Sequence, residues 1–170
     1  MLKEFENEPY DSGDKINMDN LEQYLSFALG DEEYGVEILR VQEIRSWEPV
    51  SRIPNVPSYE KGVVNLRGAI VPIIDLRERF NLGRVEYTPL TVVVALQTGT
   101  GTNMRIMGVV VDSVSDVVNV DKTSVQSAPD FGAKVSTEFI TGLVSLNDRM
   151  VMLLDVDKLL DLDDEHGDEN

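Results

Sequence analysis

GVVNLRGAIVPIIDL, residues 62–76, consists of two β-prone arms around a turn dipeptide. Val, Ile and Leu dominate residues 63–66 and 69–75, as a pleated and mostly buried surface requires. Arg67 and Gly68 between them predict a tight hairpin, with Gly68 free to take a positive φ. Pro72 removes one ladder donor, so its strand is expected to be an edge or to bulge there. The apolar arms lift Arg67 to the hairpin tip. A lone arginine in that position is ordinarily a solvated turn residue, and the rest of the chain bears on whether this one is more.

The same stretch recurs. At an offset of 80, residues 62–80 lie on 142–160 without a gap. Gly62 meets Gly142, Val64 meets Val144, Leu66 meets Leu146, Val71 meets Val151 and Asp75 meets Asp155. Turn meets turn, Arg67-Gly68 falling on Asn147-Asp148. Upstream, at an offset of 73, YGVEI at 34–38 lies on MGVVV at 107–111, and Val41, Glu43 and Ile44 lie on Val114, Asp116 and Val117. One β unit is used twice.

Each unit reads as strand, turn, strand, third short strand, Pro-bearing connection and hairpin. In the first, residues 23–29 and 34–38 are strands about a turn at 30–33. Residues 39–47 suit a helical turn or a strand equally, because Val41 and Ile44 are three apart but β-branched. EPVSRIPNVP at 48–57 is an extended connection. In the second, 91–96, 105–112 and 114–120 are strands, 97–103 is a loop, and 139–146 with 150–155 is a hairpin. Residues 77–80 and 156–160 suit short helical turns. The fold class is mainly β: two tandem five-stranded barrels of SH3 type, packed together because each alone has little core. The expected division is an acidic tail 1–22, a first barrel 23–80, a linker 81–90, a second barrel 91–160 and an acidic tail 161–170. A groove between the barrels is the natural place for a partner.

Charge limits the choice of partner. The 170 residues carry a formal net charge of -16, with a pI near 4.3. Nucleic acid and anionic membrane surfaces are disfavoured, since both need clustered Lys and Arg. There is no cysteine, hence no disulfide framework and no thiolate metal site. The N-terminus lacks the apolar run of a signal peptide, and no run approaches a membrane span, so a cytoplasmic protein without direct membrane insertion is expected.

No catalytic set emerges. The one histidine, His166, stands in the acidic tail, which removes histidine-based triads and multi-histidine metal sites. TGTGTN at 98–103 lacks the Gly-Lys-Ser/Thr of a phosphate loop. DLDDEHG at 161–167 begins like a calcium loop but has His166 where glycine is needed. Asp112 and Asp116 could pair as carboxylates, without a neighbouring base. Neither a cofactor nor a metal is implied, and recognition becomes the leading role, with Arg67 as a candidate contact centre.

The motifs converge on one family. GDEEYGVEILRVQEIR at 30–45, RIPNVPSYEKGVVNLRGAIVPIIDLR at 52–77, GVVVDSVSDVV at 108–118, STEFITGL at 136–143 and LNDRMVMLLDVDKLL at 146–160 resemble the bacterial chemotaxis coupling proteins of the CheW-like family. The resemblance covers about 23–160 in order and spacing. It implies two five-stranded SH3-like barrels and a non-enzymatic adaptor. Its partners would be the cytoplasmic tips of chemoreceptors (methyl-accepting), the regulatory domain of the histidine kinase CheA, and further copies of the coupling protein in rings. By the same resemblance the receptor contact falls on Arg67 with Asn65, Leu66 and Gly68. The kinase contact falls on Val41, Glu43 and Ile44, and Gly62 is a sensitive turn position. A coupler in a non-flagellar chemosensory pathway, or a purely structural array component, is the alternative.

Overall fold

The computed structural model describes residues 20–83, 85–127 and 137–161. Most of both acidic ends, Pro129 and His166 lie outside them. Ten strands form two five-stranded sheets. In chain order they are β1 (Leu21–Leu29), β2 (Glu32–Glu37), β3 (Val41–Ser46), β4 (Glu60–Leu66), β5 (Ala69–Asp75), β6 (Val92–Thr98), β7 (Arg105–Val111), β8 (Ser113–Asp121), β9 (Ile140–Leu146) and β10 (Arg149–Leu154). Two one-turn helices, α1 (Leu76–Arg79) and α2 (Val156–Leu159), follow β5 and β10, each N-capped by the repeat's aspartate, Asp75 or Asp155. Strand β1 takes in Leu21 and Glu22, so the first tail is shorter than 1–22. The stretch 38–47 resolves into both expected forms, a 3-10 turn at Ile38–Arg40 and then β3.

The sheets correct the expected tandem division. One has the order β8-β1-β2-β10-β9 and the other β3-β6-β7-β5-β4. Each takes two strands from one repeat and three from the other, and advancing every strand by one repeat converts the first order into the second. The barrels are therefore interleaved, and residues 23–80 and 91–160 are repeats but not separate barrels. The reason is local. Only Asp112 separates β7 from β8. A hairpin reversal needs two turn residues, so β8 cannot fold back on β7 and runs on into the other sheet. The stretch 81–90 joins β5 to β6 within one sheet and is not the link between barrels. It is pinned by Tyr87, which stacks on Trp47 at 4.6 Å between ring centroids and donates its hydroxyl to Asp75 Oδ2.

Each sheet closes on itself through one bridge. Ser51, beyond β3, pairs with Val63 of β4, and Gln126, beyond β8, pairs with Leu143 of β9. The repeat's glycines stand at these closures. A Cβ on Gly62 would lie 2.0 Å from the Ser51 carbonyl oxygen, and one on Gly142 would lie 2.3 Å from Val125 Cγ1. Gly62 is thus a strand residue with φ +145, at a β-bulge opposite Ile73 and Ile74, and not a turn. Pro72 departs from expectation too. Strand β5 is interior, between β7 and β4, and the bulge is not at Pro72. The parallel pairing to β7 begins only at Ile73, so nothing asks Pro72 for a donor.

Alternation along β1 and β6 builds the core. Val93 and Ala95 line one barrel with Leu66, Val71, Ile73 and Val110. Val94 and Leu96 point the other way, into a layer shared by both barrels with Phe27, Tyr34, Ile74, Val109, Met152 and Leu154. Tyr24, Val120, Val144, Val151 and Leu153 fill the second barrel. Strands buried on both faces read as unbroken apolar runs, which is why TVVVAL looks so strongly β.

Candidate functional site

The hairpin between β4 and β5 pairs Leu66 with Ala69, leaving a two-residue loop. Both loop residues are left-handed, Arg67 at φ 53 and Gly68 at φ 86, as a type I′ turn demands. Asn65 Oδ1 accepts the Gly68 amide at 2.9 Å and fixes the turn. The second repeat meets the same demand with Asn147 and Asp148, at φ 50 and 66. Those side chains tolerate the left-handed region, whereas arginine pays on the order of 1 kcal/mol there. Arg67 is thus a poor choice for the turn, and a residue kept against a local cost directs attention to its side chain.

That side chain is 83% exposed, and its Nη2 lies 3.3 Å from Glu43 Oε1 on β3. Arg45 Nε lies 3.1 Å from the other Glu43 oxygen. Glu43, 22% exposed, is thus held between two arginines across the seam where β3 and β4 have not yet bridged. Exposed Ile44 lies on the opposite face of β3 from Glu43 and Arg45, and exposed Ile70 stands on β5. The candidate receptor contact Arg67 and the candidate kinase contact Glu43 are therefore direct neighbours, which the sequence did not foretell.

The other expected residues sort themselves by exposure. Asn65 and Gly68 serve the turn and are open to solvent, and Val41 is half-buried against the inter-barrel core. Leu66 is buried in its barrel, so its part in any contact is to hold the hairpin. Asp112 and Asp116 do not pair: Asp112 holds Arg77 and the Gly30 amide, while Asp116 accepts from Val117 N. Sequence reasoning missed Arg45, Ile70 and Leu39. Ile70 was legible, since alternation along β5 sends Ile70 and Pro72 out when Val71 and Ile73 go in. Leu39, 86% exposed, was not, because it sits on the 3-10 turn whose geometry was open. It borders a concavity of about 250 Å³ with Leu21, Glu22, Gln23, Glu37 and Ile38. Among the described residues no group of His, Cys, Asp or Glu could hold a metal ion, and no helix is long and apolar enough to cross a membrane.

The second repeat presents a related face with different charges. Val117 and Met150, at the positions of Ile44 and Ile70, are also exposed. The acid there is Asp116, the turn is Asn147-Asp148, and Arg149 turns away to Glu33 at 2.8 Å. The repeats thus keep their apolar points and lose the arginine cluster.

Two interleaved β barrels thus present exposed charged and apolar side chains on hairpin tips and strand edges. The CheW-like domain family matches residues 23–164, and this chain belongs to that family of non-catalytic scaffold proteins. It is 49% identical over 139 residues to the chemotaxis protein CheW of Klebsiella aerogenes, covering 82% of this chain and 81% of that one. It is 31% identical over 140 residues to the chemotaxis protein CheW of Bacillus subtilis, covering 82% and 87%. Among solved structures it is similar to the scaffolding protein TtCheW from Thermoanaerobacter tengcongensis. There the TM-score is 0.75 at 26% identity, covering 88% of this chain and 93% of that one.

Proposed function

We propose that this chain is the adaptor that couples the cytoplasmic tips of chemoreceptors to the histidine kinase CheA, working in the cytoplasm within receptor arrays. Its role as a chemotaxis scaffold follows from the family. The observation that carries the finer reading is the Arg67–Glu43–Arg45 cluster between the exposed β4–β5 hairpin tip and β3. A guanidinium at a hairpin tip can fork onto carboxylate and amide groups of a receptor helix. Desolvated at the centre of such a contact, that guanidinium would be worth on the order of 1–3 kcal/mol. Glu43, with Val41 and Ile44, would face the kinase from the adjoining strand edge. Further copies of the chain in rings are part of the same reading.

The test is reconstitution with receptor-bearing membranes and CheA. Arg67→Asp should abolish receptor co-sedimentation and kinase stimulation while direct CheA affinity stays near wild type. Glu43→Lys should weaken CheA binding in a folded protein. Receptor binding that survives Arg67→Asp while CheA binding fails would reverse the assignment. Survival of both would reduce Arg67 to a solvated turn residue.

A further inference from the structure

Among the described residues, two polar joints across the seam between the barrels are built from equivalent elements with the charges exchanged, and Arg105 Nη2 adds a bond to the Leu160 carbonyl at 3.4 Å beside the second. In one, Arg77 of α1 donates to Asp112 Oδ1, in the β7–β8 crossover, at 3.0 Å, and Asp112 Oδ2 accepts the amide of Gly30, in the β1–β2 turn, at 2.7 Å. In the other, Asp157 of α2 takes two bonds from Arg40, in the β2–β3 crossover, at 3.0 and 2.9 Å. It also accepts the amide of Gly99, in the β6–β7 turn, at 2.9 Å. Arg77 and Asp157 are 80 residues apart, the offset of the repeat. Helical turn, crossover and hairpin turn thus meet twice, once with arginine on the helical turn and once with arginine on the crossover.

The joints differ in what surrounds them. Arg77 and Asp112, the pair that crosses the seam, are 4% and 36% exposed at the side chain. Arg77 is further held by two bonds to Asp75 at 2.9 Å, by the Glu86 carbonyl and by the Tyr87 ring. Breaking that joint takes one carboxylate bond from a buried guanidinium that has little water to replace it. Arg40 and Asp157 are 24% and 44% exposed, so water can replace each bond and salt can screen the pair. The crossovers differ in slack as well. The buried joint lies on a one-residue crossover, and the exposed joint on the three-residue turn Ile38–Arg40.

We infer that the seam opens at the Arg40–Asp157 rim and pivots on the Arg77 joint. The apolar layer stays closed, and the movement carries the Ile38–Arg40 turn and the Gly99–Asn103 loop away from α2. Strand β3, with Glu43, follows that turn directly, so the opening edge is the one that carries the candidate contact face. This inference concerns the free chain and does not rest on which partner binds where.

The chain has no cysteine, so introduced pairs can carry spin labels without background. Thr102→Cys with Lys158→Cys spans the exposed joint, and Asp31→Cys with Glu86→Cys spans the buried one. In double electron–electron resonance the first pair should give the broader distance distribution. It should broaden further in about 1 M salt, where screening acts within about 3 Å, and in Asp157→Asn. The second pair should stay narrow in both. The double change Arg40→Asp with Asp157→Arg copies the charge arrangement of the other joint and should narrow the first distribution again. Equal widths unmoved by salt would overturn the inference, and the salt comparison needs no further substitution. So would a broader second pair, or a double variant as broad as Asp157→Asn.

Discussion

Arg67 shows a turn and a contact asking for different residues. The type I′ position wants Asn, Asp or Gly, and the second repeat supplies Asn147. Replacing Arg67 by Asn should therefore stabilise the chain by about 0.5–1 kcal/mol, relieving the left-handed arginine. The same change should lose receptor coupling. Chemical denaturation and receptor co-sedimentation on one variant would check both, and a drop in stability would show that the Glu43 pair outweighs the backbone cost. Asp157 carries a different expectation. Burial pushes its carboxyl up, but the Gly99 amide and Arg40 outweigh this and hold it below the usual carboxylate value. A depressed folded pKa means stability that is present above the unfolded value, near 3.9, and lost as pH falls through the folded one. Asp157→Asn should flatten the acid limb of a stability–pH curve below about pH 4 and leave the neutral region's slope unchanged. An acid limb identical to wild type would remove Asp157 from the linkage.

At the scale of elements, barrel closure depends on two glycines that are not interchangeable. Gly62 combines φ +145 with a backbone oxygen 2.0 Å from any Cβ, and a backbone oxygen cannot rotate away. Gly62→Ala should cost on the order of 3 kcal/mol or more, from positive-φ strain and overpacking together. At Gly142 the nearest atom is the Val125 methyl, which can move, although the Gln126 carbonyl oxygen at 2.9 Å cannot. Gly142→Ala should cost less, about 1–3 kcal/mol. Urea denaturation of the two variants ranks them, and equal losses would mean that side-chain relaxation is not what separates the sites. The sequence marked both glycines through the repeat, yet gave Gly62 the wrong geometry, because a bulge depends on a partner strand that the sequence does not name.

The whole molecule follows from the exchange of strands. Each sheet needs strands from both repeats, and the largest buried cluster lies between the barrels. A chain cut between repeats, within 81–90, should give two halves that each fail to unfold cooperatively alone and that regain strand content when mixed. The intact chain should melt in one calorimetric transition. A half that melts cooperatively by itself would contradict the interleaving.

The sequence by itself determined the mainly β class, the repeat and the hairpin that lifts Arg67. All of these rest on side-chain period, turn chemistry and composition, which are local. It also carried the family, because VQEI and NLRG stand in order and spacing. Only the tertiary structure decided that β8 crosses into the other barrel, that Arg67 meets Glu43, that Leu39 is left exposed, and that two charge-exchanged joints bind the seam. Each of these depends on which strands become neighbours. Alternation says which face of a strand is buried; it does not say against what.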